Sequence, residues 1–345
     1  MKKMMKITIT ALTAAFAASE SVAAGARNEI RVVGSSTVYP FATAVAERFV
    51  NKTAGAASPV VESTGTGAGI KLFCAGVGAQ HPDVATASRR IKASEYADCA
   101  KNGVSAMVEI QVGIDGIAFV ETKNGPGIGL TTVDIYKAVA ATPYGKPNTA
   151  KTWKDVNPKL PDFPILVYGP PSTSGTRDAF AELILEKGCD ADPAMKTLKD
   201  TDKDKHKAVC TKVRTDGAYV EAGEQDNLIV QKVAANPQAL GILGYSFLEE
   251  NTDKLIGVTI DGVAPTYDTI ASYAYPGARP LYIYVKSAHL KAIKNLPEYV
   301  REWSQAWSPN GYLKRRGMVV APDDVRAANA KIAQDMTALD AAGLK

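Results

Sequence analysis

The chain has 345 residues, of which 46% are hydrophobic and 22% charged, and its formal net charge is only +4. Acids are interspersed among the lysines, which argues against a nucleic-acid surface, and no segment after the N-terminus is long and apolar enough to cross a bilayer. About 320 residues remain once a leader is set aside, which predicts two compact units that can each bury a core.

The N-terminus has the pattern of an export signal. Three lysines fall within the first six residues, residues 7–18 are apolar or small, and Ala23 and Ala24 offer a cleavage site. This pattern predicts a signal peptide over residues 1–24 that is removed after export. Because no cysteine stands at the cleavage site to carry a lipid, we expect a soluble protein in a Gram-negative periplasm.

Four cysteines in an exported chain predict disulfides, because the compartment outside the cytoplasm is oxidising. Among the three possible pairings we favour Cys74 with Cys99 and Cys189 with Cys210, since these close the shorter loops and each falls within one unit. A zinc site is disfavoured because there is no close pair of cysteines, and neither a metal nor a cofactor is expected. The three histidines are isolated and are expected at the surface: His81, His206 and His289.

In the first third of the chain, an apolar strand three times runs into a small polar loop and then into a helical pattern. The strands cover 30–33, 60–61 and 84–87, and the loops cover 34–37, 63–69 and 88–90. In the first helix, Phe41, Val45 and Phe49 fall on one face. Repetition of this unit predicts an α/β fold with a mainly parallel sheet, whose ligands bind at the carboxyl ends of the strands.

The rest of the chain predicts a second unit and a return to the first. Strands at 108–112 and 117–120, separated by two glycines, indicate one crossing, and aromatic and apolar segments at 273–275 and 281–285 indicate another. We therefore predict a hinge near Gly113 and Pro276, between lobe 1 (25–113 with 276–345) and lobe 2 (114–275). Further elements are a helix at 132–140, a strand at 165–168, a helix at 177–185, a charged, solvated segment at 190–207, and helices at 297–307 and 323–336.

Four strand-to-helix loops rich in Ser, Thr and Gly predict an anion site. The start of a helix exposes unpaired N–H groups and carries about half a positive charge, and arginines such as Arg89 and Arg177 can grip two oxygens of an oxyanion. Each loop alone is an ordinary helix cap or turn. The 63–69 loop also lacks the Lys-Ser/Thr pair of a nucleotide P-loop.

Four motifs carry a resemblance to a known family: Gly-Ser-Ser-Thr-Val-Tyr-Pro at 34–40, Glu-Ser-Thr-Gly-Thr-Gly-Ala-Gly at 62–69, Ala-Ser-Arg-Arg at 87–90 and Pro-Ser-Thr-Ser-Gly-Thr-Arg-Asp at 171–178. Together they resemble the phosphate-binding proteins of Pst-type ABC importers, in the subgroup with a Gly-Ser-Ser-Thr opening. The resemblance implies a two-lobed type II periplasmic binding fold. It also implies a monomer that closes on inorganic phosphate and delivers it to the membrane subunits of an ABC importer.

The resemblance also assigns phosphate ligands by position: Ser36, Thr37, Val38, Thr66, Gly67, Ser174, Gly175 and Thr176. We add Ser88 and Arg89 of the third loop to this predicted set. Further candidates are Ser63, Ser172, Arg177, Glu224 and Asp226. Some members have an aspartate where this chain has Arg89, and an arginine where it has Pro170. We therefore predict Arg89 as the principal charged ligand. The acceptor of the phosphate proton is then a carboxylate elsewhere, with these candidates: Glu62, Asp178, Glu224 and Asp226.

Two alternatives stay open from the sequence. The first is a binding protein for another oxyanion, such as arsenate, sulfate, molybdate or pyrophosphate. The second is a secreted serine hydrolase or phosphatase with Ser172 or Ser174 as nucleophile. The second is disfavoured, and a non-enzyme expected, because the Gly-x-Ser-x-Gly turn is absent and no histidine lies in a loop of the predicted site.

Overall fold

The computed structural model describes residues 27–172, 174–223 and 225–344, so the predicted leader lies outside the described residues. The strands are β1 (Arg31–Gly34), β2 (Val60–Ser63), β3 (Val84–Ala87), β4 (Met107–Thr122), β5 (Gly129–Leu130), β6 (Val167–Gly169), β7 (Tyr219–Glu221), β8 (Leu240–Gly244), β9 (Leu255–Gly257), β10 (Thr259–Ile260) and β11 (Ala278–Lys286). The helices are α1 (Tyr39–Lys52), α2 (Thr66–Phe73), α3 (Ala93–Lys101), α4 (Thr132–Val139), α5 (Trp153–Val156), α6 (Gly175–Phe180), α7 (Glu186–Cys189), α8 (Pro193–Thr201), α9 (Lys203–Thr211), α10 (Asp226–Ala235), α11 (Tyr245–Glu250), α12 (Tyr267–Ala271), α13 (Leu296–Ala306) and α14 (Asp323–Asp335).

One sheet runs through the molecule in the order β2-β1-β3-β11-β4-β8-β6-β7, with β9 paired to β4. The long strand β4 is shared between two regions. From Met107 to Gly116 it pairs antiparallel with β11, and from Ile117 to Thr122 it pairs antiparallel with β8 and β9. On one side β1 lies parallel between β2 and β3, and on the other β6 lies parallel between β7 and β8. Two parallel groups are thus joined by two antiparallel strands.

Helix α1 begins at the carboxyl end of β1, with a proline in its first turn, a position where proline is already suited to the helix. Phe41, Val45 and Phe49 are buried on its inner face, as the sequence predicts. The Phe49 ring packs edge-to-face against Tyr299 of α13, with centroids 5.6 Å apart. Burial of each such side chain contributes about 1.5–3 kcal/mol, so α1 is held firmly and its first turn is fixed in place.

The interior divides near the middle of β4. Buried residues up to Val112 form two clusters, each of which includes residues beyond Leu281, whereas those from Ile114 to Tyr275 form a separate core. Val319 also joins this separate core, and its backbone pairs with Ile114 in an isolated bridge. The bounds of the two lobes stay a prediction, but each group of strands has its own apolar interior.

The two glycines predicted to separate two strands lie inside one continuous strand, β4. A Cβ at Gly113 would lie 2.5 Å from Met318 Sδ, and a Cβ at Gly116 would lie 2.5 Å from Ile270 Cδ1. Close packing against neighbouring segments, rather than a turn, therefore explains both glycines. The prediction of two strands with a break was wrong, and the chain passes between the two cores as a single strand.

The charged segment at 190–207, predicted as a solvated segment, forms α8 and most of α9. The prediction of surface histidines was wrong for two of them. His206 is 3% exposed with Nε2 2.7 Å from Asp190 Oδ1, and His289 is equally buried with Nδ1 2.7 Å from Asp83 Oδ1. Each histidine enters the interior because an aspartate there supplies a partner for its ring nitrogen.

Both predicted disulfides are confirmed, Cys74 with Cys99 and Cys189 with Cys210. The first ties α2 to α3, and the second ties the end of α7 to α9. Each bridge braces helices that are close in sequence. Among the described residues, no helix is both long and apolar enough to cross a membrane.

Candidate functional site

Three polar loops meet at the carboxyl ends of β1, β2 and β3. The amides of Thr64 and Gly65 both donate to the Gly34 carbonyl at 2.9 Å, which fastens the second loop to the first. Thr66 Oγ1 lies 2.9 Å from Ser88 Oγ and accepts from the Ser88 amide at 3.1 Å, which fastens the second loop to the third. The parallel order of these strands brings loops distant in sequence to one edge of the sheet.

A fourth loop approaches from the other side. Ser174 caps α6, its Oγ accepting from the Thr176 amide at 3.2 Å. The Gly175 amide donates to Ser36 Oγ at 2.6 Å, so the two sides of the molecule are in direct contact. A Cβ at position 175 would lie 2.9 Å from that Ser36 oxygen, which explains why glycine stands there. The predicted loops from both halves therefore converge.

An arginine that the sequence motifs do not identify lies at the centre of this contact. Arg279 of β11 is 4% exposed. Its Nη2 donates to Thr37 Oγ1 at 2.7 Å on one side, and its Nη1 donates to the Gly175 carbonyl at 3.3 Å on the other. A planar guanidinium presents several donors in fixed directions, so one side chain can serve both loops.

Asp115 of β4 is the partner of Arg279. The two residues stand directly opposite each other in the β4–β11 pair, and Asp115 Oδ2 accepts from Arg279 Nη2 at 3.2 Å and from Nε at 3.3 Å. Burial raises the pKa of the Asp115 carboxyl, while the positive charge of Arg279 works in the opposite direction. The pair provides a buried cation and a buried acceptor at one point.

A cavity of about 450 Å³ opens beside these loops. Asp226, at the start of α10, contributes a carboxylate to its wall, and Asp226 Oδ2 accepts from the Gly244 amide at 2.9 Å. The lining thus combines hydroxyls, backbone polar groups, three carboxylates and two guanidinium groups. Its polar residues include Ser36, Thr37, Asp115, Ser174, Thr176, Gln225, Asp226, Asn227, Ser246, Glu250, Arg315 and Arg316.

Arg89, predicted as the principal charged ligand, is engaged elsewhere. Its Nη1 and Nη2 donate to the two carboxylate oxygens of Glu95 at 2.9 and 2.8 Å, and its Nε lies 3.5 Å from Glu182 Oε1. Arg177 is also occupied. Its guanidinium stacks 4.6 Å above the Tyr219 ring and donates to the Pro170 carbonyl at 3.2 Å. Neither arginine lines the cavity, and Arg279 does not line it either, but Arg279 is hydrogen bonded to Thr37 and Asp115 of the cavity wall.

The other predicted residues divide by location. The side chain of Val38 lies in the core, and its amide donates to Ser35 Oγ at 3.3 Å. Ser63, Gly67 and Ser172 are exposed and do not line the cavity. Glu224 lies outside the described residues.

Two parallel sheet regions, each with its own core and with polar loops that meet between them, define a two-lobed substrate-binding protein of the α/β type. A PBP superfamily domain matches residues 19–306 of this chain. The chain belongs to the Pst-type phosphate-binding proteins of that superfamily, as two relatives that are more than 30% identical show. The predicted family and fold class are thereby confirmed.

The relatives include proteins that cover most of the chain. Protein SphX of Synechococcus elongatus is 33% identical over 275 residues, which are 76% of this chain and 71% of that protein. Phosphate-binding protein PstS of Staphylococcus saprophyticus is 32% identical over 280 residues, or 79% and 75% of the two chains. The crystal structure of a possible phosphate-binding protein from Planctomyces limnophilus has a sequence identity of 32% and a TM-score of 0.65. The matched region covers 89% of this chain and 98% of that protein.

Proposed function

We propose that this protein captures inorganic phosphate between its lobes and delivers it to the membrane subunits of an ABC importer. The observation that carries the proposal is the position of Arg279, which donates to a loop of each side. A dianion bound between these loops would gain charge-assisted hydrogen bonds from such a donor, which are stronger than neutral ones. Family membership supports the same ligand.

The proposed ligand set combines donors from both sides of the cleft. Ser36 and Thr37 supply hydroxyls at the start of α1, and Ser174, Gly175 and Thr176 supply hydroxyls and an amide at the start of α6. Thr66 and Ser88, joined to each other beside the first loop, complete the set. Hydroxyls and helix-start amides can surround a tetrahedral anion without adding charge of their own.

We assign the principal charge to Arg279 rather than to Arg89, because Arg279 donates to a loop of each side, whereas the Arg89 guanidinium is held by Glu95 and Glu182. We assign acceptance of the phosphate proton to Asp115, which lies in the cavity wall beside Arg279. Phosphate carries a proton at neutral pH, whereas sulfate does not. A buried carboxylate facing the ligand therefore favours phosphate and repels sulfate.

Closure is proposed to occur about the two strands that cross between the lobes, β4 near Gly113 and the start of β11 after Pro276. The separate cores on either side of this point support motion of the lobes as rigid bodies. Small-angle X-ray scattering should show a smaller radius of gyration with phosphate than without it. Tight binding with an unchanged radius would contradict the hinge.

The protein is proposed to act in the periplasm as a monomer, after removal of residues 1–24. It is proposed not to be an enzyme. Of the described residues that line the cavity, none is a histidine, so Ser174 has no imidazole base there. Incubation with phosphomonoesters should give no turnover, and measurable hydrolysis would favour the hydrolase alternative.

Calorimetry on ligand-free protein tests the function directly. Phosphate should bind with one site per chain, arsenate should compete because it has nearly the same shape and protonation, and sulfate should bind far more weakly. Pyrophosphate and molybdate complete the panel. Tighter binding of sulfate or molybdate than of phosphate would show that the ligand of this protein is an oxyanion other than phosphate.

A further inference from the structure

Cys189, His206 and Cys210 form a compact buried cluster on lobe 2, outside the cleft. Their ligand atoms, two Sγ atoms and one ring nitrogen, all lie within 4.8 Å of one another. Both sulfurs are fully buried, and the imidazole is 3% exposed. Among the described residues, this is the one cluster of at least three potential metal ligands at such spacing.

We propose that the dithiol form of this protein binds one Zn²⁺ at Cys189, His206 and Cys210, and that formation of the disulfide releases it. Two thiolates and one imidazole form a common donor set for zinc, with bond lengths of about 2.3 Å to sulfur and 2.0–2.1 Å to nitrogen. Tetrahedral geometry then requires ligand atoms about 3.5–3.8 Å apart. The two sulfurs, which are 2.04 Å apart in the disulfide, must therefore separate after reduction to reach this spacing. A water molecule can take the fourth position.

The local structure presents these ligands together. His206 and Cys210 are four residues apart on α9, so both project from one face of the helix. Cys189 ends α7, which packs against that face. Two thiolates also cancel the charge of the metal, so the buried site would be neutral overall, apart from the surrounding ion pairs.

The Asp190 carboxylate orients the His206 imidazole through a hydrogen bond to one ring nitrogen. His206 Nε2 lies 2.7 Å from Asp190 Oδ1, which leaves Nδ1 as the nitrogen for a metal. Asp190 is fixed in turn, because its Oδ2 accepts from Lys199 Nζ at 2.7 Å. Histidine ligands of zinc typically donate their second ring N–H to a carboxylate in this way.

Redox state decides between the two forms, because the thiolate and not the disulfide sulfur is the effective ligand. A disulfide-bearing oxidant takes two electrons from the two thiolates, and the Cys189–Cys210 bond forms. The oxidant's own disulfide becomes two thiols by taking two protons from solvent, and Zn²⁺ leaves. The site would therefore bind zinc in the newly exported chain, before its disulfides have formed.

The second disulfide supplies a matched control. Cys74 and Cys99 are also a buried pair on two helices, but they belong to no such cluster. The Cys74→Ser/Cys99→Ser protein keeps the proposed site. The Cys189→Ser/Cys210→Ser protein keeps the other two thiols, Cys74 and Cys99, which belong to no cluster with a histidine. Both are prepared free of phosphate, reduced with a phosphine under anaerobic conditions and titrated with Zn²⁺ against a chromophoric chelator, and with Co²⁺ followed by its visible absorption.

The Cys74→Ser/Cys99→Ser protein should bind one Zn²⁺ per chain and show thiolate-to-Co²⁺ charge transfer, and its oxidised form should bind none. His206→Asn in that background should weaken zinc binding by more than Asp190→Asn, for which we expect about 10- to 100-fold. Equal affinity of the two double-serine proteins, or no loss with His206→Asn, would overturn the proposal. If the reduced protein is unfolded without metal, recovery of its circular dichroism spectrum with Zn²⁺ supports the site, and failure to recover contradicts it.

Discussion

Arg279 and Asp115 stand opposite each other on two antiparallel strands, and the same Arg279 nitrogen that lies 3.2 Å from Asp115 Oδ2 donates to Thr37 Oγ1 at 2.7 Å. The cross-strand register therefore places a guanidinium at the junction of two polar loops. A carboxylate holds that guanidinium in position. We propose that the specificity of the site depends on this pair.

Replacement of Arg279 should abolish tight phosphate binding. Loss of a guanidinium that pairs with a buried anion costs about 2–5 kcal/mol, or ~30-fold to several thousandfold in affinity. Arg279→Lys should recover only part, because one ammonium cannot reproduce the planar fork. Calorimetry measures the affinities, and thermal unfolding checks each variant's fold.

Arg89→Ala is the matched control, since Arg89 is an arginine of the anion loops that pairs with Glu95. Its affinity for phosphate should stay within about threefold of the parent, or below ~0.7 kcal/mol. A larger loss for Arg89→Ala than for Arg279→Ala would restore Arg89 as the principal ligand.

Asp115→Asn should weaken phosphate binding and relax the exclusion of sulfate. A hydrogen bond from the phosphate proton to a carboxylate contributes about 1.5–3 kcal/mol, or ~10- to 150-fold. The amide also removes the negative charge that repels sulfate, so sulfate affinity should rise. Asp226→Asn, at another carboxylate of the cavity, should change the ratio of the two affinities less. The reverse ranking would identify Asp226 as the proton acceptor.

Gly175→Ala should impair ligand binding, because its Cβ would lie 2.9 Å from Ser36 Oγ where the two lobes meet. Crowding of this kind typically costs about 1–3 kcal/mol, or ~5- to 150-fold in affinity. Gly67→Ala tests the steric cause, since a Cβ at Gly67 meets nothing within 4 Å. If both variants bind phosphate like the parent, close approach at Gly175 has no part in closure.

Lys286→Met should stabilise the protein at pH 7 and lose that advantage in alkali. The Lys286 side chain is fully buried, its Nζ has no hydrogen-bond partner among the described residues, and it lies 4.9 Å from the centre of the Phe73 ring. Burial lowers the pKa of Lys286 to about 8. The unfolded chain, with its ordinary lysine pKa near 10.4, therefore binds more protons between about pH 8 and 10.4, so stability rises with pH across that window.

Urea unfolding of the parent and of Lys286→Met at pH 7 and at pH 10 measures this effect. The advantage of the variant should shrink by up to about 3 kcal/mol as the pH rises through the window. The exposed Lys101→Met is the control and should show no such change. A constant difference between the parent and Lys286→Met would mean that Lys286 is not the titrating group.

The sequence predicted the loops of the site better than its charged centre. Ser, Thr and Gly at helix starts are local signals that indicated the loops, and the family resemblance then identified Ser36, Thr37, Ser174 and Thr176 within them. Arg279 and Asp115 lie 164 positions apart in strands without such a signal, and only the register of the β4–β11 pair brings them together. The same limit applies to His206, whose burial depends on an aspartate in another helical segment.

Glycine was the other source of error. At Gly113 and Gly116 the sequence indicated a break between strands, whereas the residues are glycine because Met318 and Ile270 pack against the strand there. A tight turn and a close approach both exclude a Cβ, and the sequence does not distinguish them. The apolar periodicity of α1, by contrast, follows from burial of one helix face and was predicted correctly, and the helix predicted at 297–307 is α13.

The most direct test of the site is the position of the bound oxyanion. Arsenate has nearly the shape and protonation of phosphate, and arsenic scatters X-rays anomalously, so diffraction from crystals grown with arsenate locates the ligand without ambiguity. We predict one anomalous peak in the cleft, with arsenate oxygens about 2.7–3.2 Å from Arg279, Thr37 and the Gly175 amide. A peak beside Arg89, or no peak in the cleft at arsenate concentrations that saturate the protein in solution, would contradict the account.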